Sequence, residues 1–426
     1  MRTTLAAALA AAFAASTTQT IVIAALPAFA GQFGVPGTVV PWALTAFMLA
    51  SAVATPIAGR LGDLFGYRRI ALACLGSFTA GLLLCALADS FPLLLAGRVL
   101  TGVAGGLFPL AFGLVRRAVP ADRLPGAVAL LSAIFGIGGA AGMLAAGPLL
   151  TFGTSWLFWP LLALALVAFA LVLSLPADVS AGGGQVDSAG AALLGGALTA
   201  LLLGISQAKS WGTGPSLGLF ALAVVLFAGF AAVEARTRQP LVDLRLLGSR
   251  GMAVTNLTTV VVAAAMFGVV TLIPPLVPQH RIAVALLPMV VLMLAAVPVA
   301  ARLGGRRAVR AGAALGIVSS AALVFAHDEL WQICVAGLFL GAGHGLAFAA
   351  FGPLVVDAVD AGRTGMATGV NTIARTAGGA VGAQVAAVLV AEGSYATAFV
   401  TFAVVGAGAL ALTFALPSAK LTAGAR

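Results

Sequence analysis

Charged residues are scarce in this 426-residue chain: Asp, Glu, Lys and Arg together make up 8% of it. A water-soluble protein carries roughly 25%, so there is too little charge here to coat a surface facing water. Acids are the scarcer sign, 12 against 22 Lys and Arg. They fall in loops or at helix ends: Asp63, Asp122, Asp178, Asp187, Glu234, Asp243, Asp357 and Asp360 towards one side, Asp89, Asp328, Glu329 and Glu392 towards the other. None is left for the middle of a membrane-spanning segment, where buried acids commonly carry protons. Cysteine is limited to Cys74, Cys85 and Cys334. The first two stand ~16 Å apart along one helix at 1.5 Å per residue, too far to bridge, and all three read as small apolar packers. The sequence also lacks a nucleotide-binding loop, a metal-ligating cluster and a nucleophile with its base, so it offers no enzyme chemistry and calls for no cofactor or metal.

What the chain has is apolar length. Hydrophobic residues make up 62% and the mean hydropathy is +1.14. Only helices and closed β-barrels span lipid with every backbone group satisfied. Barrel strands alternate apolar and polar residues over about 10 positions, whereas runs such as Leu157 to Leu175 and Ser216 to Val233 are unbroken. Such runs match helices crossing ~30 Å of hydrocarbon. The pattern predicts an all-α polytopic membrane protein with fourteen spans near 5–29, 40–58, 70–88, 92–115, 124–150, 156–175, 189–207, 216–233, 252–277, 283–300, 308–326, 330–356, 364–391 and 395–416. With both termini in the cytoplasm, every Lys and Arg falls on the cytoplasmic side except Lys209 and Arg281 outside and Arg98 and Arg375 within spans. That is the positive-inside rule. The net charge of +10 is therefore a topology signal and implies a bilayer, not a nucleic acid, as partner. The first span follows Arg2 but runs past the usual apolar length of a signal peptide, so it is expected to remain a helix.

A long-range repeat runs through the spans. GVAGGLFPLAFG (102–113) returns as GAGHGLAFAAFG (341–352), so Gly102, Gly106, Leu107, Phe112 and Gly113 recur as Gly341, Gly345, Leu346, Phe351 and Gly352. At a nearly constant offset Arg68 and Arg69 recur as Arg306 and Arg307, Asp89 as Asp328, Gly126 as Gly365, and GGAAG (138–142) as GGAVG (378–382). The expected organisation is a six-helix bundle at 1–178, a two-helix insertion and linker at 179–250, and a second six-helix bundle at 251–426. Parallel halves of this kind are a transporter architecture with the path at their interface.

The loop between spans two and three reads GRLGDLFGYRR (59–69). Gly59, Gly62 and Gly66 permit a tight connection, and Asp63 is an acid among Arg60, Arg68 and Arg69. This loop resembles the signature loop of the major facilitator superfamily. The resemblance implies a fold of two six-helix bundles, here with two extra central helices. It also implies that Asp63 lies between Arg116 or Arg117, at the end of span four, and the start of span thirteen near Thr364, where a helix N-terminus attracts a carboxylate. The second copy, ARLGGRR (301–307), has lost the Asp.

Further motifs resemble the superfamily's fourteen-helix drug:proton antiporters. RVLTGVAGGLFP (98–109) places Arg98 ~9 Å inside the outer edge, where an intramembrane Arg is implied in proton coupling; alternatively it snorkels to the interface. FGIGGAAGMLAAGPLL (135–150) resembles the Gly-rich antiporter helix through Gly138, Gly139, Gly142, Gly147 and Pro148, with Met143 where the pattern has Pro; generic close packing of helices explains the same glycines. TIVIAALP (20–27) and PLVDLRLL (240–247) resemble the branch's other signatures, with Thr18 where an Asp is usual and Ile23 where an Asn is usual. NTIARTAGG (371–379) carries Arg375 ~16 Å into its span. With no core carboxylate, the candidates for coupling are Arg98, Arg375 and His344, and only His titrates near neutrality; a packed, hydrogen-bonded histidine is the alternative. Thr17, Thr18, Gln19, Thr20, Phe47, Asn371 and Gln384 are candidate cavity residues. The resemblance implies a monomeric exporter of hydrophobic or amphipathic small molecules, driven by protons. A transporter of a polar or anionic metabolite, a facilitator without proton coupling, and a non-transporting receptor remain as alternatives.

Overall fold

The computed structural model describes residues 2–120, 123–176, 187–207, 211, 213–237, 240, 247–359 and 364–416. Asp122, Asp178, Lys209, Asp243, Asp360, the bulk of the 240–247 motif and the expected boundary at 178/179 lie outside the described residues. The described residues form helices and no strand. We number the helices α1 Arg2–Phe33, α2 Trp42–Phe65, α3 Tyr67–Ala86, α4 Phe91–Ala118, α5 Leu124–Leu150, α6 Trp159–Leu173 and α7 Ser188–Ser206. They continue with α8 Thr213–Arg236, α9 Arg250–Leu272, α10 Ile282–Leu303, α11 Gly305–Phe325, α12 Leu330–Asp357, α13 Thr364–Glu392 and α14 Tyr395–Phe414. Among the described residues twelve spans are long and apolar enough to cross a membrane, and α5 and α7 supply shorter apolar stretches, Ile137–Leu150 and Ala189–Ile205. The protein is a multi-pass membrane protein with the helix order expected from its hydropathy.

Local chemistry explains where the helices stop and turn. α2 passes to α3 through the single residue Gly66 at φ 93°, and α10 passes to α11 through Gly304 at φ 78°. That conformation is open to glycine and costly for other residues. α12 starts with a capping box between Glu329 and Gln332, which satisfies two backbone N–H groups left orphaned at a helix start. α4 is interrupted by a 3₁₀ turn at Val103–Gly106. There Gly102 lies against the Phe47 backbone and Ala50, and Gly106 against Ala58, so α2 and α4 nearly touch backbone to backbone.

The sequence repeat is also a packing repeat. Gly341 and Gly345 of α12 lie against the Met289 and Met293 carbonyls of α10, as Gly102 and Gly106 of α4 lie against α2. Gly138 and Gly142 of α5 fit against Phe13, Ser16, Thr17 and Thr20 of α1; Gly378 and Gly382 of α13 fit against Val260 and Ala264 of α9. Small residues at this spacing let helices approach in lipid, where hydrophobicity alone does not drive association. Between the halves, α2 packs on α13 and α5 packs on α10. The repeat exchanges these two contacts, as an axis along the membrane normal requires. α7 pairs with α8 and leans on α2 and α13, so the inserted pair flanks one side of the seam. At the start of α7 and the end of α8 two acids are buried: Asp187 accepts from the Gly190 N–H at 2.7 Å, and Glu234 lies against the same glycine.

Candidate transport site

We call the face bearing the α2–α3 junction the basic face. There Asp63 is exposed and accepts a hydrogen bond from the Tyr67 hydroxyl one turn further on. The Tyr67 ring fills a slot made by two glycines. A methyl group at Gly62 would stand 2.8 Å from ring Cδ1, and one at Gly113 of α4 would stand 2.6 Å from Cζ and closer still to the ring edge. Arg117, one turn beyond Gly113, lays its guanidinium 4.5 Å from the ring centroid. The expected link from Asp63 to the end of α4 thus runs through Tyr67, which sequence reasoning did not single out. Its signals were its place four residues after Asp63 and its rarity, as one of only 2 tyrosines in the chain. Arg68 serves another contact, its Nε and Nη2 donating to the Val172 and Leu173 carbonyls at 3.3 and 2.7 Å. A cation at the C-terminal end of α6 also opposes that helix dipole favourably. Arg69 and Arg116 are exposed, and Gly59 touches Pro109 at ordinary contact distance. The other partner expected for Asp63, the start of α13, adjoins residues 360–363, which lie outside the described residues. In the second half the clamp has no counterpart: Gly305 opens α11 where Tyr67 opens α3, and a methyl group at Gly352 would meet nothing within 4 Å.

Arg98 turns inward and does not snorkel. It is 0% exposed; its Nε donates to the Ala43 carbonyl at 2.7 Å, and both terminal nitrogens reach the Thr18 carbonyl at 3.4 Å. Its guanidinium lies 4.7 Å from the Phe47 ring centroid and 3.5 Å from the Thr101 hydroxyl. One side chain thereby ties α4 to α1 and α2. Buried charge is tolerated only when hydrogen-bonded, and backbone carbonyls supply that here.

The other two coupling candidates lie in the second half. His344 of α12 is 9% exposed and its Nδ1 makes no hydrogen bond. Its ring centroid is 4.5 Å from Phe348 and 5.4 Å from Phe267 of α9, while the Arg375 guanidinium is 5.9 Å from the Phe348 centroid. The structure therefore brings His344 and Arg375 together around Phe348, and Arg98 stands apart from them in the first half. Asn371, one turn before Arg375, donates to Asn256 at 3.0 Å and to Thr259 at 2.8 Å, binding α13 to α9. Gln384, buried, donates across the seam to the Thr45 hydroxyl of α2 at 3.0 Å.

The polar run on α1 serves packing in this conformation. Thr17 and Thr18 donate back to the Phe13 and Ala14 carbonyls at 2.8 Å, and Thr20 donates to the Gly139 carbonyl at 2.7 Å. Gln19 is buried beside them. Gly147 faces the second half, where a methyl group would stand 2.9 Å from Ala283 Cβ, and Pro148 lies within the last turn of α5. On the face opposite the basic one, a cleft of about 580 Å³ opens between the ends of α1 and α5 and the α9–α10 link. Gln279 donates to the Leu150 carbonyl at 3.1 Å along its wall.

Two pseudo-symmetric helical bundles, joined along α2–α13 and α5–α10 with charged and aromatic groups at the seam, define a polytopic transporter architecture. The chain belongs to the Major Facilitator Superfamily, whose family profile matches residues 8–283 and 281–424. It is 34% identical over 262 residues to the Multidrug resistance protein B homolog of Mycobacterium tuberculosis, covering 60% of this chain and 48% of that protein. It thus spans about half the length of that curated relative. It is 30% identical over 393 residues to the Tetracenomycin C resistance and export protein of Streptomyces glaucescens, covering 88% of this chain and 73% of that protein. The xylose transporter XylE from E. coli superposes with a TM-score of 0.70 at 11% identity, covering 100% of this chain and 99% of that one. This last likeness concerns the fold.

Proposed function

We propose that the chain is a secondary active exporter of hydrophobic or amphipathic small molecules, working by alternating access in exchange for protons. The seam carries this reading: among the described residues the halves meet through Gly379 on Met48, Gly147 on Ala283 and the side-chain bonds of Gln384 to Thr45 and Gln279 to the Leu150 carbonyl, contacts that a rocking motion can break and remake. Relatives named for multidrug resistance and for export of a natural product support the same direction. His344 is the proton carrier in this scheme, and the Asp63–Tyr67–Arg117 clamp steadies the basic face. The working units are residues 1–178, 179–250 and 251–426, the termini lie in the cytoplasm, and the protein acts as a monomer in the cell membrane. The Arg375 charge also favours a second reading, movement of an anionic metabolite. Uptake of a dye and antibiotic panel into inverted vesicles, with and without a proton gradient, distinguishes the two. Gradient-dependent uptake of amphipathic compounds is the expected result; uptake confined to small hydrophilic anions would replace export with the second reading.

A further inference from the structure

We infer that the seam selects aromatic anions, such as a phenolate or an aryl carboxylate, over lipophilic cations, with Arg375 and His344 as the selecting groups. The inference rests on the export reading above and adds the charge class of its cargo. The guanidinium, the imidazole and two phenyl rings form one cluster, held by the contacts of His344 with Phe348 and Phe267 and of Arg375 with Phe348. The cluster borders the seam: Met48 of α2 and Phe267 both lie against Gly379, one turn from Arg375 on α13. A Cβ on Gly379 would stand 2.6 Å from the Met48 methyl and 3.2 Å from the Phe267 ring.

Arg98 and Arg375 are not equivalent. Arg98 is fully enclosed, at 0% exposure, whereas Arg375 and Phe348 keep partial exposure at mid-helix. Arg375 is thus the cation that a molecule in the seam would meet. His344 adds a buried Nδ1 with no hydrogen-bond partner, and a cargo hydroxyl or carboxyl oxygen would satisfy it with little rearrangement. The phenyl rings supply flat faces for an aromatic frame. Phe348 already has the Arg375 guanidinium near it, so it offers less to a second cation. The middle stretches of the spans hold the guanidinium groups of Arg98 and Arg375 and no Asp or Glu, the acids lying in loops or at helix ends. Like charges repel more strongly at low dielectric than in water, and such repulsion rejects the wrong partner as effectively as attraction admits the right one.

The test uses two dyes with the same xanthene frame and opposite charge, fluorescein and rhodamine 123, at pH 8. Their binding to the purified full chain is read by fluorescence anisotropy. Fluorescein should bind at least tenfold more tightly than rhodamine 123. Arg375→Gln should bring the two within about threefold by weakening fluorescein, Arg375→Lys should keep the order, and His344→Gln should weaken fluorescein severalfold. Equal binding, a preference for rhodamine 123, or no saturable binding of fluorescein in the wild type would overturn the inference. An unchanged order in Arg375→Gln would overturn it too; if that variant fails to fold, retention of the preference in Arg375→Lys against its loss in Arg375→Met decides the matter. Flux of a neutral coumarin in proteoliposomes separates the two levels. Coumarin export without a fluorescein preference sinks the charge selectivity alone, and a fluorescein preference without any flux sinks the export reading alone.

Discussion

Adding one methyl group at Gly113 should cripple transport, while the same change at its repeat partner Gly352 should be silent. At Gly113 the new Cβ would overlap the Tyr67 ring, standing 2.6 Å from Cζ. Gly62 also lies close to that edge of the ring, where a Cβ would be 2.8 Å away, so the space around the ring is already tight and the new methyl forces the ring from its place. Overpacking of this kind costs about 1–3 kcal/mol. Eviction also removes the hydroxyl bond to Asp63, about 1 kcal/mol in an exposed setting, and the Arg117 contact, about 0.5–1 kcal/mol. The total of about 2.5–5 kcal/mol exceeds the 1.4 kcal/mol that shifts a two-state equilibrium tenfold, and a transporter needs its two states to be nearly balanced. Gly352 has open space beside it, so Gly352→Ala incurs none of these penalties and gains slightly in helix propensity. Initial export rates per molecule, with membrane levels measured in parallel, compare the two variants. Equal rates in Gly113→Ala and Gly352→Ala would refute a role for the Tyr67 slot.

Three other outcomes follow from the same geometry. Asp63→Asn should slow export at least tenfold at normal membrane level, since the carboxylate that accepts from Tyr67, and through it is linked to Arg117, loses its charge; wild-type rates would dismiss the clamp. Arg98→Ala should lower the melting temperature of the detergent-solubilised protein by several degrees, because the tie to the Thr18 and Ala43 carbonyls goes and a cavity remains; an unchanged melt would mean that Arg98 does not hold the first bundle together. Cysteines placed at positions 2 and 420 should be inaccessible to an impermeant reagent applied outside intact cells, and labelling at either site would reverse the proposed topology.

Much of the fold was legible because lipid imposes a simple rule: apolar runs of span length become helices, and Arg marks the loops on one face. The glycine repeat could also be read, and its meaning turned out to be packing, with Gly138 and Gly142 on α1 repeated by Gly378 and Gly382 on α9. The depth of Arg98 and of Arg375 followed from counting residues at 1.5 Å each. Their lateral positions did not, because depth along a helix says nothing about which neighbour the side chain faces. Only the helix contacts separate Arg98, held by α1 and α2, from Arg375, held near Phe348. The Tyr67 slot was hidden for a related reason. Gly62 and Gly113 lie on different helices, and nothing in either local sequence names the side chain that fills the gap between them. Gln384 was expected in a cavity; its bond to Thr45 joins residues far apart in the chain, beyond the reach of any local pattern.

The claim of proton-driven export is tested most directly by proton movement in proteoliposomes when cargo is added, comparing wild type with His344→Gln. Wild type should move protons against the direction of cargo. The variant, keeping the Phe267 and Phe348 surroundings but lacking the imidazole, should carry cargo downhill with no proton flux and no accumulation. Equal proton fluxes in the two proteins would remove His344 from the mechanism. Cargo movement without proton flux in the wild type would contradict the account.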